Sequence, residues 1–287
     1  MAYFIGGSII AKRITIKWNC AFSKHILSYC VTTTVLLICL SLSSCINYNA
    51  SHEKGLHLNY DIMTLQELSL NHTRDLSNRL GIEENGCLMP YLVLSDEYND
   101  NCLLLREYLL DETIHYNSNS LYSAYYENSE VDNYLNNEFF SILSDELKDI
   151  IVNSDIVITS KDSLRICGTE SIVITRKIFL LSYTELGGNK SATCVEEGNK
   201  LNYFKNYDSR IAKHVSGEVN SWSLRTPNTW YGNIAYGVTA DGGIGMYGTG
   251  GAENNNIGVR PAFCLNGENA IIKSPDYSGD NCLYILK

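Results

Sequence analysis

Ser221–Leu265, SWSLRTPNTWYGNIAYGVTADGGIGMYGTGGAENNNIGVRPAFCL, is the stretch whose reading decides the fold class. Pro227 holds Thr226 in an extended conformation and removes a backbone donor, so Trp222–Arg225 predicts a strand ending in a turn. Asp241-Gly242 is the residue pair that accommodates positive φ in a tight hairpin. Ile234, Tyr236 and Val238 are expected on one side of it, with Ile244 and Met246 returning to face them. Asn254, Asn255 and Asn256 have side chains able to hydrogen-bond their own backbone, which predicts another turn. Val259–Leu265 then reads as a strand in which Pro261 requires an edge or a bulge.

Upstream, the same antiparallel logic recurs. Leu92 and Leu94 predict one strand and Leu103 and Leu105 its return, around a polar turn at Asp96–Asn101. From Tyr134 to Ile151 the apolar spacing becomes helical, and Ser144-Asp145-Glu146 supplies the acceptor and charge that open a second short helix. Ile178–Leu181 is strand-like and runs into Ser182-Tyr183-Thr184-Glu185, where Ser182 and Glu185 have capping-box spacing before Gly187-Gly188. The run SRIAKHV, which contains His214, reads as a short helix. No glycine-rich phosphate loop follows any strand, so the expectation is an α+β domain of short antiparallel sheets, flanking helices and long irregular loops.

The ends carry different information. Lys12, Arg13, Lys17 and Lys24 precede an apolar run, Val35–Leu42, that is short for a membrane span but suits the core of a signal peptide. The run stops at Leu42-Ser43-Ser44-Cys45, so residues 1–45 are expected to form a signal with a lipobox-like end and Cys45 to carry lipid. Residues 46–85 read as a polar stalk or peripheral helix, and 86–287 as a single domain. The formal charge of −10 becomes −14 beyond residue 45, with 18 basic against 32 acidic side chains, which argues against nucleic acid as a partner. Cys87, Cys102, Cys167, Cys194, Cys264 and Cys282 would remain in an exported chain. Six cysteines permit fifteen pairings, Cys194 with Cys264 among them, and none has the spacing of a zinc site.

Two classes of candidate residue follow. Trp222 is expected in the core, and Arg225 and Arg260, set among apolar neighbours, are expected to be buried in structural pairings with carboxylates or carbonyls. Ser182 and Glu185 join them as structural residues, because no strained elbow marks Ser182 as a nucleophile. A ligand surface would use Trp230 and Tyr231 as flat faces, with Asp241, Asn254, Asn255 and Asn256 as hydrogen-bonding partners. No cofactor is expected. Ca2+ is the metal that the oxygen-rich loop at Glu253–Asn256 would otherwise suit, but the alternating carboxylates of a calcium loop are missing.

Read together, Leu92-Val93-Leu94, Tyr134-Leu135-Asn136 with Phe139, Lys177–Ser182, Trp222–Pro227 and Gly258–Ala262 resemble the ordered motifs of a bacterial domain-of-unknown-function family, number 6273. Tyr134 stands where that family usually has tryptophan, Ser223 interrupts its tryptophan–leucine step, and Thr226 replaces a serine. The resemblance runs over roughly residues 86 to 267. It implies an architecture similar to the C-type-lectin-like arrangement shared with formylglycine-generating enzymes, and it implies no catalytic residue. The functional expectation is an extracellular, lipid-anchored surface module that recognises a glycan or protein ligand. A lectin-fold enzyme and a purely structural surface protein are the alternatives.

Overall fold

The computed structural model describes residues 62–70, 78–112, 114–118, 121–245, 257–276 and 282–287. All of them lie in the compact unit Asn59–Lys287; the expected signal and Cys45 fall in the other unit, Met1–Leu58, outside the described residues. No helix among the described residues is long and apolar enough to cross a membrane.

The strands in chain order are β1 (Met63–Thr64), β2 (Arg79–Glu84), β3 (Cys87–Tyr98), β4 (Asn101–Arg106), β5 (Ile151–Val152), β6 (Ser154–Thr159), β7 (Ser171–Arg176) and β8 (Ile178–Phe179). They continue as β9 (Ala212–Lys213), β10 (Val219–Asn220), β11 (Trp222–Pro227), β12 (Ala235–Val238), β13 (Ile244–Gly245), β14 (Ala262–Leu265), β15 (Ala270–Lys273) and β16 (Tyr284–Leu286). Among the described residues four α-helices accompany them: α1 (Leu65–Leu70), α2 (Glu130–Tyr134), α3 (Asp145–Ile150) and α4 (Lys190–Thr193). The fold is therefore mixed α+β and dominated by sheet.

The main sheet runs β1-β15-β16-β2-β3-β4-β14-β5, with β8 also paired to β14. Its pairings are antiparallel except β16 with β2. At its centre, Cys102–Arg106 of β4 and all of β14 are buried residue after residue, because both faces of the sheet are covered there. The β3–β4 turn sits at Asn99 and Asp100, both left-handed, as a tight hairpin needs. A register shift between Val93 and Ser95 makes Leu94 an extra residue. Val93 and Leu94 are consequently buried in succession, where simple alternation expects Leu92 and Leu94 on one face.

Local capping chemistry defines the helices. Ser129 accepts from the Asp132 N–H (3.2 Å) to open α2, which continues as one π-helical stretch, Leu135–Phe139. Ser144 accepts from the Leu147 N–H (3.3 Å) to open α3. Pro261 lies just before β14, and its carbonyl accepts from the Arg106 N–H (2.9 Å), so its missing donor interrupts no ladder.

Two segments differ from the sequence reading. His214 does not sit on a helix: Ala212–Lys213 pairs with Val219–Asn220 in a hairpin whose His214 N–H donates to the Glu218 carbonyl, with Gly217 left-handed at the turn. The run is too short to nucleate a helix against that turn. Residues before Gly86 are also part of the sheet. β2 pairs with β3 over six residues, β1 pairs with β15, and α1 opens on a reciprocal Thr64–Glu67 capping box (2.7 and 3.1 Å). Only Leu80 and Ile82 mark β2 as apolar among charged neighbours, so its strand character comes from pairing rather than composition.

Candidate functional site

Two structural units are built on β11 and on the turn that follows it. In the first, the Ser182 N–H donates to Glu185 Oε2 (2.7 Å) and the Glu185 N–H donates to Ser182 Oγ (3.0 Å), which is the capping-box exchange, here closing a turn that ends at left-handed Gly187. This exchange aims the buried Glu185 carboxylate at Arg225, which donates to both of its oxygens (2.8 and 2.7 Å). Arg225 also donates to the carbonyls of Leu180 (2.8 Å) and Val157 (3.1 Å). Burial opposes the guanidinium charge, but Glu185, Tyr98 and Glu197 together outweigh it and raise the Arg225 pKa. Tyr98 completes the group by donating to Glu185 Oε1 (2.7 Å).

Glu197, fully buried beside it, accepts from the N–H and hydroxyl of Thr159 (2.6 and 2.7 Å) and from the Thr226 hydroxyl. Burial raises its pKa, against partial opposition from Arg225 and these hydrogen bonds. The Ser182 hydroxyl is occupied, donating to the Glu197 carbonyl (2.6 Å) and accepting from the Glu185 N–H. Arg260 has different surroundings. Its Nε donates to the Arg106 carbonyl (3.0 Å) and its guanidinium lies 4.8 Å from the Trp222 ring centroid, while Nη1 has no hydrogen-bond partner among the described residues. Burial lowers its pKa to about 10. Trp222 is fully buried and donates from Nε1 to the Arg210 carbonyl (2.9 Å).

The second unit faces solvent. Buried Asn228 accepts at Oδ1 from the N–H groups of Trp230 (3.0 Å) and Tyr231 (3.2 Å), and its carbonyl accepts from the Gly232 N–H (2.9 Å). This Asx-type turn fixes the backbone while leaving both rings exposed. Two other loops are hydrogen-bonded to it: the Ala124 N–H donates to the Gly232 carbonyl (3.1 Å), and the Cys167 N–H donates to the Thr229 carbonyl (3.3 Å). Those loops carry Leu121 and Ile166. The three most exposed large apolar side chains among the described residues, Ile166 (72%), Leu121 (64%) and Trp230 (64%), therefore stand on loops joined at one place, with Tyr231 (57%) beside them.

The support under this patch is braced. Cys167 and Cys194 form a disulfide, so Cys194 does not pair with Cys264; Cys264 and Cys102 are buried thiols, each pushed up to about 12 by burial. Left-handed backbone outside glycine is found at Asn85, Asn99, Asp100 and Asn128, residue types that tolerate it, and at Arg165, Cys167 and Cys194. The three less tolerant residues all belong to the brace. At the rim, Lys161 Nζ lies over the rings of Tyr122 (5.4 Å) and Tyr125 (5.9 Å).

Of the expected ligand residues, Trp230 and Tyr231 stand together. Asp241 is in the β12–β13 turn beside Tyr207, where hydrogen bonds from the Thr239 hydroxyl and then the Gly243 N–H lower its pKa. No described contact joins it to the Trp230 turn. Asn254, Asn255 and Asn256 lie outside the described residues. Leu121 and Ile166 are not legible in the sequence as neighbours of the Trp230 turn, since only the three-loop junction brings them to it. His214 Nδ1 lies 3.3 Å from Asp111, and no group of three or more metal-ligating side chains occurs among the described residues.

No curated protein and no solved structure matches the chain. A family match does exist, over residues 99–267, more than half of the sequence and from the β3–β4 turn to just past β14; the chain belongs to the family described as Domain of unknown function (DUF6273).

Proposed function

We propose that this chain is an exported recognition module that docks a surface protein on the patch of Leu121, Ile166, Trp230 and Tyr231. The observation that carries the proposal is the convergence of the most exposed apolar side chains on three hydrogen-bonded loops. Soluble domains seldom leave such groups together in water unless a partner covers them, and tryptophan and tyrosine are the residues that anchor interfaces. Leu121 and Ile166 offer only dispersion and desolvation, which favours an apolar protein surface over a polyhydroxylated sugar. A glycan reading is favoured by the two aromatic faces alone. The Cys167–Cys194 disulfide supports an oxidising compartment, in keeping with the signal-like N-terminus and a lipid on Cys45. A C-type-lectin-like arrangement, loops displayed on a small sheet, is the architecture we assign to this mode of recognition.

The test is binding of the full chain to arrays of surface proteins and of glycans, beside a Trp230→Ala/Tyr231→Ala double variant. A protein ligand whose affinity falls about 100-fold or more in the double variant is the expected outcome. Equal binding by a folded double variant removes the patch from the proposal, and glycan binding lost in the variant replaces protein with sugar. An intact Met1 peptide on the membrane-bound protein would exclude lipidation at Cys45.

A further inference from the structure

β6 and β7 form a two-stranded ribbon in which Ser154 pairs with Arg176 and Thr159 with Ser171. The Ser160 N–H donates to the Glu170 carbonyl, which sets the parity of the ladder: even-numbered residues of β7 direct their backbone groups at β6. The N–H and C=O of Ser171 and Val173 consequently point away from the ribbon, and nothing among the described residues pairs with them. Ser171, Ile172, Val173 and Thr175 are all exposed, and Val173 is among the most exposed apolar residues described. Within SIVIT the edge has no proline, no lysine and no bulge, and of its outward groups only the Thr175 carbonyl is shown to have a partner among the described residues, accepting from Arg176 Nη1 (3.0 Å).

The geometry points to pairing of β7 with the β7 of a second copy of this chain, antiparallel and centred on Val173, which joins two β6–β7 ribbons into one four-stranded sheet. Backbone parity allows hydrogen-bonded pairs only between odd-numbered residues, so two-fold pairing has few registers. Centring on Val173 places Ser171 opposite Thr175, Ile172 opposite Ile174 and Val173 opposite itself, matching small polar with small polar and β-branched with β-branched. It also places exposed Glu170 opposite Arg176 of the second copy. Arg176 holds Asp132 at 2.8 Å and keeps part of its side chain at the surface, 19% exposed, where a second carboxylate can approach. Centring on Ile172 or Ile174 loses this charge match, so opposite charge selects the register as well as the partner. The inference uses none of the four side chains of the Trp230 patch and does not rest on the proposed function.

Sedimentation equilibrium of the full chain in density-matched detergent tests it, with amide hydrogen exchange at Val173 read in parallel. A dimer forming by about 100 µM is expected, with Val173 protected only as it forms. Val173→Lys, which sets two like charges across the two-fold axis, should weaken the dimer at least about tenfold while leaving the far-UV spectrum and melting unchanged. Glu170→Arg, which opposes Arg176, should weaken it without touching β7 itself and serves if the lysine variant does not fold. A wild-type chain that stays monomeric at that concentration overturns the inference. So do variants that dimerise as well as wild type, or protection at Val173 that is independent of concentration.

Discussion

Arg225 and Arg260 have the same side chain and nearly the same burial, but their removal would leave different debts in the structure. Taking away Arg225 removes the counter-ion of a fully buried carboxylate, Glu185, and leaves it only the neutral donors Tyr98 and the Ser182 N–H. Taking away Arg260 strands one carbonyl and uncovers one face of Trp222. A buried charge left without its counter-ion costs far more than a carbonyl left without a donor. Arg225→Ala is therefore expected to lose about 3–5 kcal/mol and Arg260→Ala about 1–3 kcal/mol in urea unfolding. Arg225→Lys should recover little, because an ammonium cannot meet both Glu185 oxygens and two carbonyls in one plane. Equal losses, or the reverse order, would show that the Glu185 pairing does not hold this junction.

At the scale of elements, legibility follows range. The Ser182–Glu185 box, the Ser144 cap and the left-handed Gly242 of the Asp241-Gly242 turn act within a few residues, and their signals are written locally. β2 and the β9–β10 hairpin are not legible locally because partners distant in sequence, or a single glycine turn, settle their conformation. The Cys167–Cys194 loop is the sharpest case: fifteen pairings were open, and the choice depends on two loops that meet only in the fold. Closing that 27-residue separation should contribute about 3.5 kcal/mol by restricting the unfolded chain. Its effect should also be local, because it braces the left-handed turn under Ile166. Cys167→Ser/Cys194→Ser is expected to melt lower, and to exchange the Cys167 and Gly168 amides faster, while amides of β4 and β14 change only with global stability. Uniform loosening of the whole domain would contradict a brace.

The compact unit Asn59–Lys287 closes through its ends. The family match begins at the β3–β4 turn, yet β3 is paired on its other side with β2, and β2 with β16 near the C-terminus. The polar stretch before Gly86 shows little periodicity, so nothing local in it announces a domain start. The structure gives that stretch four almost fully buried apolar side chains, Leu65, Leu68, Leu80 and Ile82, and the carboxylate of Glu84, which pairs with buried Arg106 at 2.9 Å and accepts from Tyr91. Loss of the four apolar groups alone amounts to about 6–12 kcal/mol at the usual 1.5–3 kcal/mol each. That is comparable with the entire stability of a typical domain, about 5–15 kcal/mol. The stranded Arg106 and the unpaired edge of β3 add to the loss. A chain beginning at Asn59 should therefore unfold cooperatively, whereas one beginning at Gly86 should be molten or insoluble, although it retains every residue of the family match. Far- and near-ultraviolet circular dichroism of the two chains distinguishes the outcomes. A native near-ultraviolet spectrum from the shorter chain would mean that β2 and α1 are peripheral to the fold.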